Sequence, residues 1–158
     1  MHDIGFAKHD HTACVATAME TAEAFCRDNK VQLTPARKRV LEILLEQHRA
    51  MGAYDILALL SAEGMGSQPP VVYRALDFLT KHGFVHKIEK LNAYLACSHP
   101  GDRHSPLFLI CHGCDTVAET TMPTAPLKDA ASALGFKIET TVIEVEGLCP
   151  GCQTGDAA

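Results

Sequence analysis

The chain contains no apolar run long enough to span a bilayer, which excludes a transmembrane helix from its sequence and leaves no membrane partner to expect. Its first residues, M-H-D-I-G-F-A-K-H-D-H, hold neither the basic nor the apolar region of a signal peptide, so the expected compartment is the cytoplasm. That compartment is reducing, and an odd number of cysteines, seven, is a poor disulfide framework there. Excess positive charge is also missing: the net charge of −5 excludes a globally basic nucleic-acid binder. No catalytic constellation and no small-molecule substrate are expected. What is present is 158 residues with 47% hydrophobic and 21% charged content, enough for one ordinary domain or two small ones.

The charge is unevenly distributed. Residues 1–90 carry 11 Lys/Arg against 11 Asp/Glu, whereas residues 91–158 carry 3 against 8. The cations of the first part cluster at Arg37-Lys38-Arg39 and near Arg74, Lys81, Lys87 and Lys90, so a locally basic face is possible there. Residues 1–15 read as a flexible N-terminal tail, in which His2, His9, His11 and Cys14 could add a metal contact. An alanine-rich helix follows over 16–29, with Met19, Ala22 and Cys26 on its inner face. Thr34-Pro35 is a helix start, N-cap followed by proline, and the helix is expected to bury Val40, Leu41, Leu44 and Leu45. The cations Arg37, Lys38 and Arg39 oppose that helix's dipole, either as a solvated face or because a phosphate backbone lies close to Arg37. A third helix, from A-Y-D-I-L, is expected to bury Ile56, Leu59 and Leu60. A fourth opens at Pro69-Pro70 and presents Val72, Ala75, Leu76 and Leu79 inward, Tyr73, Arg74, Asp77 and Lys81 outward. Two strand-like runs, Phe84 to Glu89 and Ala93 to Cys97, complete a winged helix. Its fourth helix is the natural reading head, with Arg74 suited to a guanine edge or phosphate and Tyr73 to a phosphate or thymine methyl.

The second half reads as a strand from Leu107 into C-H-G-C, a returning strand over 115–121, a helix from Pro123 to Leu134, and a long strand from Phe136 to Glu146 that ends in G-L-C-P-G-C. The whole is α+β: an N-terminal winged helix (16–97), a hinge (98–106) and a small C-terminal α/β domain (107–158). Cys111, Cys114, Cys149 and Cys152 form two Cys-x-x-Cys pairs, which supply the four thiolates of a structural zinc. The 34 residues between the pairs make a strand-helix-strand excursion stapled at its base, in a module too small for a large core. The rival use of the pairs, a thiol-disulfide protein, is disfavoured because both pairs are expected at strand ends, whereas a redox pair opens a helix that lowers its thiol pKa.

Between the wing and the first pair lies an elbow, Ser98 to Pro106, rich in serine, proline and glycine. In or beside it stand His86, Cys97, His99, His104, His112 and Glu119, a mixed N, S and O set that suits zinc held exchangeably. An ion bound there would fix the angle between the modules.

Several runs, L-T-P-A-R-K-R-V-L, A-Y-D-I-L, P-V-V-Y-R-A-L-D-F-L, G-F-V-H-K-I-E and G-L-C-P-G-C together with the paired cysteines, resemble the ferric uptake regulator family, most closely its zinc-sensing branch. The resemblance implies a homodimer whose C-terminal domain dimerises, and a structural zinc at the four paired cysteines. It implies a regulatory zinc at His86, Cys97, His104 and Glu119, hence two ions per subunit, and DNA contacts from Tyr54, Tyr73 and Arg74. A histidine-rich run of iron-sensing members is replaced here by S-P-L-F-L-I, with Pro106 and Phe108 at the histidine places, and Cys97 favours zinc over iron. His99 and His112 match no ligand position. The expected function is a zinc-responsive repressor that binds palindromic operator DNA and shuts off zinc-uptake genes. The alternatives are a sensor of iron, manganese or peroxide, a thiol-disulfide protein, and a zinc-stapled adaptor without DNA.

Overall fold

The computed structural model describes residue 6 and residues 11–47, 49–66, 68–98, 100 and 105–155. The chain separates into two compact units. The first holds helices α1 (His11–Asp28), α2 (Pro35–Glu46), α3 (Ala53–Ala62) and α4 (Pro69–Lys81) and strands β1 (Val85–Ile88) and β2 (Ala93–Ala96). The second holds β3 (Pro106–Cys111), β4 (Val117–Thr121), α5 (Ala125–Ala133), β5 (Ile143–Gly147) and α6 (Pro150–Gln153). Among the described residues no helix is long and apolar enough to cross a membrane.

Helix α1 begins at His11, inside the expected tail. The reason is a stripe that starts one turn early: Val15 packs on the core ahead of Met19 and Ala22, and Cys26 is buried a turn later. Residues 1–5 and 7–10, with His2 and His9, lie outside the described residues. Helix α2 starts as its sequence requires, the Thr34 hydroxyl accepting from the Arg37 N–H at 3.3 Å with Pro35 in the first turn. It packs against α1, α3, α4 and β2, so its buried face is wide. Ile43 joins Val40, Leu41 and Leu44 in that face, while the expected Leu45 is only half-buried. On α3 the inner stripe is Ala53, Ile56 and Leu60. Leu59, expected inside, is 40% exposed because it stands about 100° round the helix from Leu60.

Helix α4 buries Val72, Ala75, Leu76 and Leu79, the inner face expected. It ends at Gly83, whose φ of +79° lets the Phe84 N–H return to the Leu79 carbonyl at 2.9 Å. Strands β1 and β2 then pair antiparallel, Val85 opposite Ala96 and Ile88 opposite Ala93, across a turn with Asn92 in the left-handed region. Met51 forms a paired bridge with Tyr94 (N–H to carbonyl, 2.9 and 2.8 Å), which ties the α2–α3 connection to this hairpin. The result is a winged helix.

The second unit is a three-stranded sheet in the order β4-β3-β5, with β4 antiparallel and β5 parallel to the central β3. The long strand expected over 136–146 is present only as Ile143–Gly147. Its partner sets the limit: the β3–β5 register starts at Leu107–Ile143, and the residue before Leu107 is Pro106, which has no N–H to continue the ladder. Helix α5 spans the gap between β4 and β5 and buries none of its residues.

Candidate metal centres and nucleic-acid surface

The two Cys-x-x-Cys turns meet because β3 and β5 are parallel neighbours whose C-terminal ends coincide, Cys111 pairing with Gly147. The four sulfurs of Cys111, Cys114, Cys149 and Cys152 all lie within 4.8 Å of one another, and Cys114 Sγ is 3.8 Å from Cys149 Sγ. Four thiolates at about 2.3 Å from a tetrahedral zinc would stand about 3.8 Å apart, so the cluster fits that ion.

Backbone amides prepare the site. The Cys149 N–H donates to Cys111 Sγ at 3.3 Å. That bond, followed by the N–H groups of Cys114 and Gly113, holds the Cys111 thiol down at about 6 against the opposing effect of burial. Cys114 is also lowered, first by its bond with the Thr116 hydroxyl at 3.1 Å. Cys152 is pushed the other way, to about 12, by burial and then by the neighbouring sulfurs. Four sulfurs this close cannot all ionise without a cation among them; a divalent ion removes that conflict.

Three features of this cluster escaped the sequence reading. Thr116 sets the orientation of Cys114. Gly113 leaves room for Cys152, whose Sγ would lie 2.8 Å from a Cβ at that position. The glycine in C-H-G-C was the available signal. The third is a correction: the second pair does not end at a strand, because Cys149 is the N-cap of the short helix α6. The second pair therefore does open a helix, and it is the gathering of all four sulfurs that favours a staple over a redox pair.

The other metal-ligating candidates are divided between the units. In the first, His86 sits on β1 opposite Leu95, and the Cys97 N–H bonds the Phe84 carbonyl at 2.9 Å. This register makes His86 and Cys97 diagonal neighbours on one face of the hairpin. Cys97 is buried. In the second unit, Glu119 lies in the middle of β4, opposite Phe108, and is the buried charged residue among those described. A buried carboxylate needs a hydrogen-bonded, charged or metal partner. His104 and His99 lie outside the described residues, and His112 is exposed on the first cysteine turn.

The nucleic-acid candidates differ sharply among themselves. Tyr54, in the first turn of α3, is 69% exposed; Tyr73 is 41% exposed beside the exposed Arg74 on the outer face of α4. Arg37 is already engaged: its guanidinium lies 3.9 Å over the Phe78 ring and donates to the Gln32 carbonyl at 2.6 Å.

The family model for the ferric uptake regulator family matches residues 28–146. The chain is 41% identical over 135 residues to the zinc uptake regulation protein of Escherichia coli (strain K12), spanning 83% of this chain and 78% of that one. A solved zinc uptake regulator complexed with zinc and DNA superposes with a TM-score of 0.84 at 37% identity, covering 91% of this chain and 98% of that chain. The crystal structure of holo XcZur gives a TM-score of 0.79 at 38% identity, covering 87% and 98%.

Proposed function

Because the chain belongs to the ferric uptake regulator family, we propose that it is a zinc-responsive transcriptional repressor, acting as a zinc-loaded homodimer on palindromic operator DNA to shut off zinc-uptake genes. It is a regulator, not an enzyme, and works in the cytoplasm. The observation that carries this reading is the join of a winged helix, its Tyr73 and Arg74 displayed on the reading helix, to a second unit built around four clustered sulfurs.

Cys111, Cys114, Cys149 and Cys152 hold a permanent structural zinc. His86, Cys97, His104 and Glu119 hold a second, exchangeable one, so that each subunit takes two ions. Supporting this second set are the buried thiol of Cys97, the place of His86 on the same face of the hairpin, and the buried carboxylate of Glu119. Residues 98–106 are the hinge between the DNA-binding and dimerisation domains. Bound there, zinc supplies coordinate bonds that only the DNA-competent arrangement of this hinge can satisfy. To take the hinge from mostly open to mostly closed, the four ligands must prefer the closed form by roughly 5 kcal/mol.

Dimerisation is supported by the second unit's surface. Leu134, Phe136, Val142 and Val145 are 87%, 65%, 57% and 45% exposed, from the C-cap of α5 through the following connection to the edge strand β5. An apolar face of that extent calls for a partner, and a second copy provides a self-complementary one. The DNA surface consists of Tyr54, Tyr73 and Arg74 together with Arg37, whose guanidinium also lies over Phe78. Recognition helices of the dimer enter major grooves about 34 Å apart.

The test is a gel shift on a duplex recovered from a random pool by the zinc-loaded protein, with and without zinc. Cys97→Ser is expected to lose zinc-dependent binding while staying folded and dimeric. Normal binding by Cys97→Ser in the presence of a chelator would refute the sensing site. Tightly held zinc without dithiol turnover would exclude the thiol-disulfide alternative, and failure of iron and manganese to restore DNA binding to the stripped protein would exclude sensors of those ions.

A further inference from the structure

The basic run at the start of α2 is the feature that the proposed function leaves unexplained. Three cations in the first turns of a helix oppose its dipole, so something must offset the cost. A phosphate backbone is the obvious candidate, and the structure supplies a different one. Successive residues on a helix turn by about 100°, so three in a row point at three neighbours. Arg37 reaches Phe78 on α4. Lys38 reaches Glu23 on α1, Nζ to Oε1 at 2.6 Å. Arg39 reaches Glu63, the residue that caps the C-terminus of α3.

These ties are not equal. Lys38 and Glu23 are each nearly half exposed, and a surface pair of that kind contributes little. Arg39 is three-quarters covered and engages Glu63 with both prongs, Nε to Oε2 and Nη2 to Oε1, each at 2.8 Å. Its Nη1 also donates to Glu42 at 3.1 Å and Glu46 at 3.2 Å, on its own helix. One guanidinium set among three carboxylates leaves a locally negative patch, which repels phosphate. A two-pronged arginine-carboxylate pair of this geometry is directional as well as strong.

Where Glu63 stands gives the tie its consequence. It immediately precedes Gly64 (φ +73°), which with Gly66 (φ +149°) forms the positive-φ turn that leads into α4 at Pro69. The Met65 N–H bonds the Leu60 carbonyl at 2.9 Å, and the Ser61 hydroxyl bonds the Gly66 carbonyl at 2.9 Å. The turn thus hangs from the end of α3, and Arg39 holds that end to α2. We propose that Arg39, acting through Glu63, is a positioning residue for the reading helix α4. The proposal rests on the DNA-binding function inferred above.

The sign of one substitution separates this from direct DNA contact. The probe is the duplex recovered from a random pool by the zinc-loaded wild-type protein, titrated by fluorescence anisotropy at several salt concentrations with variants shown to be folded. Glu63→Gln and Arg39→Gln are each expected to weaken binding about tenfold, with the slope of log K against log salt unchanged, and the double variant to be no weaker than either single one. If Arg39 instead gripped a phosphate, Glu63→Gln would leave binding unchanged or tighten it, and Arg39→Gln would lower the salt slope by about one. Either result overturns the proposal, as does unchanged affinity in a variant that is merely less stable. Should the pool return no zinc-dependent sequence, the functional reading fails by itself. The tie is then judged on the free protein: Glu63→Gln should speed amide exchange at Gly64 and Met65 about tenfold and leave β1 and β2 unchanged, and unaltered rates at Gly64 and Met65 overturn it.

Discussion

In the first unit Val40, Leu44, Ile56, Leu60, Val72, Leu76 and Leu79 have lost all contact with water, and three helices close round α2 to keep it out. In the second unit, Leu107, Phe108, Ile110, Val117 and Ala118 are buried on β3 and β4, but no residue of α5 or β5 is. The two units therefore solve the problem of being small in different ways. The first takes its apolar side chains out of water, each Å² of that surface contributing about 25 cal/mol. The second gathers four thiols at the end of a small sheet and leaves Leu134, Phe136, Val142 and Val145 exposed. The division places the buried apolar core and the sulfur cluster in different units, so the two can be perturbed separately.

The most direct way to break this comparison is to remove the staple. Cys111→Ser is expected to abolish stoichiometric structural zinc and the amide-exchange protection of β3, β4 and β5, while protection in α2 and α4 persists. Structural zinc in small domains contributes about 10–16 kcal/mol, more than a sheet with so few buried residues can replace. Protection of β3 that survives both Cys111→Ser and chelation would show that the second unit stands on its core after all.

A smaller effect is expected from the opposite intervention. Leu76→Ala opens a cavity at the fully buried centre of α4 and should cost the first unit about 2–5 kcal/mol in urea denaturation, with the zinc content of the protein unaltered. A loss of zinc in this variant would mean that the two units share one cooperative fold.

Much of this organisation was legible because it is written in short-range pattern. The inner face of α4 follows from helical spacing, and the start of α2 from Thr34-Pro35. The sulfur cluster follows from two pairs, each fixed by its own turn. What escaped depends on distant partners. Nothing local in Arg37-Lys38-Arg39 says that Glu23 lies 15 residues before Lys38 or that Glu63 lies 24 after Arg39, so the run read as a solvated face or a phosphate grip. The β-branched residues of 136–142 resembled strand, but a strand needs a neighbour, and β3 stops offering amides at Pro106. Helix α6 is one turn of four residues, too short to show a period. Tyr54, by contrast, was named on resemblance alone, and the structure leaves it exposed.

The finest version of the comparison uses the N-cap of α2. The Thr34 hydroxyl accepts the Arg37 N–H at 3.3 Å, so Thr34→Ala leaves one amide at the start of the central helix without that acceptor. The expected cost is about 1 kcal/mol, far below that of a core cavity or a lost staple. Because α2 contacts α1, α3, α4 and β2, the loss should be felt across the first unit, as a uniform increase in amide exchange of about fivefold for the slowest amides. Exchange in β3 and β5 should not change, since their stability comes from the sulfur cluster and the sheet around it. Thr34→Ser keeps the acceptor oxygen and should restore the protection. Equal acceleration in both units would replace two separate strategies with one fold, whereas acceleration confined to Arg37 and its neighbours would mean that α2 frays without transmitting the loss.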